Sequence, residues 1–361
     1  MTLWQDFSEM FRRDARRYQA FFLPNNRVSA DYDTTPIKAG EAYCRLWLVE
    51  MCLAKDTDWF KQRYPIVHAA VRFHHGTKPL TVPYLAQPGQ LQEIATENLD
   101  RVIQCNYPLT PLFPFNQGLV ELQAGLFSME ASDSIGKFIK TMGRFSEILP
   151  VPELSSVLKL IEPVYRGIED LVSAGKGQLE LGYQQTYSPA RGGGDNDLKA
   201  GYFGVILAEE KQINPNNLCV ANDSLRVESS PTQSFTKNSK PLEGYSYMLF
   251  RVEKQPEQDW ESLSRIKELV NKAQELIFQG EYEEVKNTLI PAIRTTIYSS
   301  PDVAKADRSK MIIKIEDYFK EIGLEGQAIQ KLSLYSIMQR NLPEIDSHLE
   351  KELAKLEKFL G

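Results

Sequence analysis

Three of the four histidines, His68, His74 and His75, fall close together, and four cysteines, Cys44, Cys52, Cys105 and Cys219, are scattered through the chain. Histidine and cysteine are the side chains that bind zinc or act as base and nucleophile. Zinc would want histidines at i and i+4, or tightly spaced Cys/His pairs, and neither spacing occurs. Adjacent His74 and His75 diverge by about 100° on a helix and cannot share a face. They read as a structural cluster at the end of an element, stopped by Gly76. A Cys105–His74 or Cys105–His75 pair is the one thiol–base combination the spacing allows, and it depends on how the fold brings them together. His348 sits among charges and reads as a surface residue. No catalytic, cofactor-binding or metal-ligating residue is assigned, and no cofactor is expected.

Two loops invite a ligand reading. Arg191-Gly-Gly-Gly lacks the Lys-Ser/Thr and the helix that a phosphate loop requires. Asp195-Asn-Asp197 lacks the remaining oxygens of a calcium loop. The expectation is a hairpin tip. Neither Gly-x-Ser-x-Gly nor an opening Gly-x-Gly-x-x-Gly is present. Tyr183, Tyr187, Tyr202, Phe203, Tyr245, Tyr247 and Phe250 crowd the strand-like stretches. Too few cations are interleaved for base stacking, so they read as sheet core.

The elements that would carry these residues suggest an α+β chain. Apolar residues at helical spacing predict helices over 3–23, 39–54 and from about 57 to 73, an N-terminal helical layer spanning 1–76. A β-rich, mostly antiparallel domain is expected over 77–254. Its strands are expected at 178–183, 198–207, 225–228 and 245–253, with a further hairpin from 99–115 and 119–128. Pro79 and Pro83 confine the extended stretch 78–86 to an edge. A two-helix insertion at 132–174 carries the stripe Ile135, Phe138, Ile139, Met142, Phe145 and Ile148. Charges thicken after 257, predicting a helical bundle over 257–361 that ends on the stripe Ile345, Leu349, Leu353, Leu356 and Leu360.

Within that bundle, Ala273, Gly280, Tyr282, Val285, Leu289 and Ala292 stand as in the core of a tetratricopeptide repeat. A second echo runs from Phe319 to Ala328, and the likeness is confined to 263–340. Val285 stands where such repeats usually place alanine, and the offset from Val285 to Ala328 departs from the 34-residue period. The resemblance implies helical hairpins of the kind that bind protein partners.

A net charge of −6 excludes general nucleic-acid binding by the whole chain. The opening residues carry charges throughout, and no window is apolar enough to span a bilayer. The expectation is therefore a cytoplasmic, non-enzymatic interaction protein, an adaptor or accessory subunit for a protein partner of unknown identity. The rival readings are a membrane-acting effector using 132–174 and, behind it, a thiol- or metal-dependent hydrolase.

Overall fold

The computed structural model describes residues 18–54, 57–58, 61–86, 102–130, 177–190, 194, 196–209, 212–228 and 239–324. These form three antiparallel sheets and three helices, not the α+β arrangement expected. The main sheet runs β1 (Gln19–Leu23), β10 (Gly201–Ile206), β14 (Tyr247–Gln255), β2 (Tyr43–Cys52), β6 (Val102–Pro108), with β7 (Phe113–Pro114) also paired to β2. The long sheet runs from β4 (Lys61–His75) through β8 (Val120–Glu130) to β9 (Gly177–Tyr187). On the other side of β4 lie β3 (Thr57–Asp58) and β5 (Lys78–Ala86). A small sheet joins β11 (Leu218–Ala221), β12 (Ser224–Val227) and β13 (Lys240–Pro241).

The N-terminal helical layer is overturned. Residues 43–52 and 61–75 are strands. The reason lies in the layering. Leu46, Leu48, Phe203 and Phe250 of the main sheet pack on Val67, Val71, Leu122 and Leu181 of the long sheet in one core. Val49, Tyr202, Ile206 and Leu249, on the opposite face of the main sheet, pack on Leu218, Val220 and Leu225 of the small sheet in another. A strand covered on both faces is apolar along its whole length and loses the alternation that distinguishes strand from helix. β2 is such a strand, so its run mimics a buried helix.

A bulge completes the disguise. β14 pairs with β2 through Leu249↔Glu50 and then Phe250↔Leu48, leaving Val49 as the extra residue. Extra residues of this kind rotate the following side chains to the other face. Cys44 therefore enters the inner core and Cys52, although eight positions on, the outer one. Glu50 is turned towards the small sheet. It is fully buried, and its carboxylate accepts Ser224 Oγ at 2.8 Å, Leu225 N at 2.7 Å and Tyr247 OH at 3.0 Å.

The expected strand pairings are also revised. β9 belongs to the long sheet and β10 to the main sheet, so the glycine-rich connection crosses between sheets instead of closing a hairpin. β6 and β8 are likewise in different sheets and form no hairpin. β5, with Pro79 and Pro83, pairs only with β4 among the described residues. β14 occupies the middle of the main sheet, where its apolar faces lead one to expect it. The insertion expected at 132–174 lies outside the described residues, as do residues 3–17 of the helix expected over 3–23; residues 19–23 of that helix are a strand.

In place of the expected bundle, the described residues of 257–361 hold three short helices, α1 (Ser264–Gln279), α2 (Ile290–Ser299) and α3 (Arg308–Glu321). The terminal stripe from Ile345 lies outside the described residues. Gly280 ends α1 with φ +84°, the left-handed turn that glycine adopts without a Cβ penalty. A π turn, Val285–Leu289, leads into α2. Ile266, Val270, Ile277, Val285, Ile293, Ile297, Met311, Ile315 and Phe319 make a core of their own. It meets the sandwich where Tyr43, Leu112 and Ala304 pack together.

Candidate functional site

The side of the sandwich where β1 faces β9 is open. Between these two strands lies a cleft of about 230 Å³ lined by Phe22, Tyr183, Tyr187, Phe203, Asp197 and Lys199, among others. Each strand brings its residues for a local reason. Alternation along β9 turns Tyr183 and Tyr187 to the same side, and Tyr183 joins the inner core. Gly201 has φ +123°, and a Cβ there would lie 2.9 Å from Cζ of Phe22, so the missing side chain is what admits that ring. Phe203 stacks on Phe250 at 5.0 Å and forms the floor.

Polar side chains line the cleft beside the rings: Gln185, Asn196, Asp197 and Lys199 join the two tyrosine hydroxyls. The hydroxyls of Tyr183 and Tyr187 are 3.1 Å apart. Burial raises both phenols, Tyr183 to about 12, so neither is poised as a base. Asp197 accepts Ser188 Oγ at 3.3 Å and Gly194 N at 3.1 Å. It shapes the loop before β10 and does not read as a calcium ligand. Arg191 to Gly193 lie outside the described residues.

Two aromatic side chains are exposed at the mouth. Phe22 is 37% exposed, and Tyr18, 42% exposed, stands edge-on to Tyr183 at 5.8 Å between ring centres. A cleft lined by aromatic rings with placed polar groups has the form of a recognition site. Clustered exposed aromatics mark a contact surface more than an accident of folding.

The residues singled out for chemistry are not brought together. Cys105 lies on β6 in the main sheet, where burial, and then the Glu50 carboxylate, hold its thiol protonated. His74 and His75 end β4 in the long sheet, and His75 Nε2 faces Asp302 Oδ1 at 3.0 Å. His68 is buried in mid-strand, and burial pushes its imidazole down to about 3. It stays neutral at ordinary pH. No disulfide joins Cys44, Cys52, Cys105 and Cys219. Among the described residues, no three His, Cys, Asp or Glu side chains converge as a metal site requires.

A second polar cluster lies on the outer face of the main sheet. Arg251 stacks on Trp47 at 4.9 Å and lies over Tyr202 at 5.9 Å, while Arg45 covers Trp47 from the other side at 5.5 Å. Trp47 Nε1 donates to Glu253 at 2.8 Å, and Tyr202 OH donates to Asp223. Stacked guanidinium and aromatic planes of this kind stiffen a sheet face. Every charge in the ladder has an opposite partner, and the arrangement is structural.

Sequence reasoning placed Tyr183, Tyr187 and Phe203 on strands but missed Phe22, which fell inside an expected helix. The available signal was Phe21-Phe22-Leu23 before Pro24, an aromatic run suited to a short strand. Comparison with known proteins finds no family model that matches the chain and no curated protein similar to it.

Proposed function

We propose that the chain is a non-enzymatic interaction protein, an adaptor or accessory subunit that works in the cytoplasm. It receives a protein partner on the open side of the sandwich. The supporting observation is the aromatic cleft, whose exposed Tyr18 and Phe22 lie beside β9, the last strand of the long sheet among the described residues. Proteins guard exposed edges with proline and lysine. β5 is guarded in this way by Lys78, Pro79 and Pro83, whereas β9 has neither residue type in its eleven positions. An extended segment laid against β9 would place alternate side chains at the cleft. The tetratricopeptide-like hairpin around α1 and α2 is a second surface for the same kind of partner. Tyr43, Tyr202 and Tyr247, three phenols that burial raises, hydrogen-bond between layers, which fits a scaffold better than a catalyst.

Panning a random-peptide library against the whole chain tests this reading. The peptides recovered should carry large apolar residues at alternate positions. Tyr187→Ala and Phe22→Ser should each weaken them about tenfold, the effect of losing an aromatic anchor contact of about 1.4 kcal/mol. Peptides indifferent to both substitutions would overturn it.

One observation favours a second reading, a membrane-acting effector using 132–174. β8 and β9 are paired to their ends, with Met129 opposite Gly177, so residues 131–176 leave and rejoin the sheet at neighbouring positions. Among the described residues no helix is long and apolar enough to cross a membrane. This reading expects dye release from anionic liposomes at low salt. Intact liposomes would remove it.

A further inference from the structure

We propose that residues 29–36 form a strap over the outer face of the main sheet, latched by the Lys254 ammonium, and that releasing this one charge opens it. The device stands whether or not a partner uses the aromatic cleft.

The strap is pinned by backbone at both ends and loose between them. Ser29 N donates to Val220 O at 2.9 Å, and Val28 bridges Val220 of the small sheet. At the other end Pro36 bridges Lys199, and Ile37 N donates to Leu198 O at 2.8 Å. The Ile37 side chain is fully buried in the inner core. Among the described residues, no backbone-to-backbone hydrogen bond engages residues 30–35. A segment without such bonds, and with little buried apolar surface, opens locally at low cost.

Side chains hold this one down. The Asn25 amide donates to the Tyr32 carbonyl. The Tyr32 ring packs on the outer core, edge-on to Tyr202 at 5.5 Å, and the two hydroxyls are 3.2 Å apart. Lys254 Nζ, on β14, donates to Asp33 Oδ2 at 2.9 Å and to Glu41 Oε1 at 3.0 Å. One ammonium therefore ties the middle of the strap both to the sheet and to the chain leading into β2. The Lys254 side chain is 11% exposed and that of Asp33 58%, so the cation belongs to the sheet and the carboxylate to the strap.

Between strap and sheet lies a cavity of about 400 Å³, lined by Tyr32, Asp33, Glu41, Ala200, Glu253 and Lys254, among others. Tyr202, against which the strap packs, is only 2% exposed. Release of the strap widens this cavity and uncovers that ring. Solvated ion pairs contribute little and weaken with salt, which is the property a releasable latch needs. Acidity is not the trigger. Hydrogen bonds from Thr35, and then from Lys254, hold the Asp33 carboxyl down to about 2. A carboxyl lowered in this way keeps its contribution above its unfolded value and loses it only as pH falls towards the folded one. The latch therefore stays charged at ordinary pH, and competition for its charges is what releases it.

The test is limited digestion of the full chain with chymotrypsin, following cleavage after Tyr32 by mass spectrometry. Cleavage of a transiently opened segment tracks the population of its open form. Lys254→Met, which keeps the stem and removes the charge, should speed this cleavage about fivefold, the range of a lost surface ion pair. Lys254→Arg should stay close to the wild type. In the wild type, raising salt from about 0.05 M to about 1 M should speed the same cleavage several-fold, scaled to that of a free peptide of residues 28–37. A Lys254→Met rate equal to the wild type overturns the proposal. So does a wild-type rate indifferent to salt, a result that needs no variant to fold. An equal rise at Tyr298, 52% exposed on α2, would mean general loosening and overturns it too.

Discussion

Replacing Glu50 with alanine should destabilise the protein by about 3 kcal/mol, read as a shift in the chemical-denaturation midpoint at constant slope. The carboxylate ties two layers together through three hydrogen bonds. Ser224 and Leu225 begin β12 of the small sheet, and Tyr247 begins β14 of the main sheet. Alanine strands the Leu225 N–H and two hydroxyls in a buried site, and an unmet buried donor costs far more than a met one returns. Glu50→Gln should cost only about 1 kcal/mol. Its amide oxygen can still receive the Leu225 N–H and the Tyr247 hydroxyl, which share one oxygen, while the Ser224 hydroxyl can rotate to accept from the NH₂ group. Equal losses for alanine and glutamine would show that the carboxylate's charge, not its acceptor geometry, holds the layers.

The pH dependence separates these terms further. Burial raises the Glu50 carboxyl, opposed by hydrogen bonds from Leu225, Ser224 and Tyr247. A carboxyl whose folded pKa lies above its unfolded value contributes stability below the unfolded value, here 4.5, and loses it as pH rises through the folded one. The wild type should therefore be at its best relative to Glu50→Gln near pH 4. That advantage should shrink with rising pH. An advantage that grows with pH would mean that the three donors outweigh burial.

Some of this architecture is legible in the chain and some is not, for physical reasons. The central place of β14 follows from its own residues, because Met248 and Phe250 on one face and Tyr247 and Leu249 on the other are all apolar. The edge position of β5 follows from Pro79 and Pro83. β2 is misleading because a strand buried on both faces has no period to read, and its one charge, Glu50, looks like the solvated position of a helix. β4 does show alternation at Val67, Ala69, Val71 and Phe73, but buried Ile66, His68 and Ala70 fill the gaps between them. The candidate site is the least legible part. Phe22 meets Tyr183, Tyr187 and Phe203 only because β1 and β9 lie at the same side of two different sheets. That is a long-range fact of topology, and no local pattern carries it.

Asp307→Ala should cost about 3 kcal/mol and split the unfolding of helices and sandwich into two transitions. Asp307 is fully buried at the start of α3, and its Oδ2 accepts Tyr43 OH at 2.8 Å and Gln258 N at 3.1 Å. Tyr43 belongs to the sandwich and Gln258 to the lead-in to α1, so one carboxylate oxygen ties the sandwich to both ends of the helical unit. The neighbouring loop repeats the connection. Ala306 N donates to Gly40 O at 2.8 Å, Lys305 N to Asn116 Oδ1 at 2.9 Å, and Asn116 Nδ2 to Val303 O at 3.0 Å. Among the described residues, Tyr43, Leu112 and Ala304 pack together where the two cores meet. Cooperative unfolding of the whole therefore depends on this polar seam. Tyr43→Phe removes one donor and leaves the acceptor with Gln258, so its cost should be near 1 kcal/mol. The double variant should fall short of the sum of the two by about 1 kcal/mol, because both substitutions remove the same bond. Far- and near-ultraviolet circular dichroism followed through one denaturant series reads out both effects. Additive losses with coincident transitions would show that the helices are held to the sandwich by apolar packing alone.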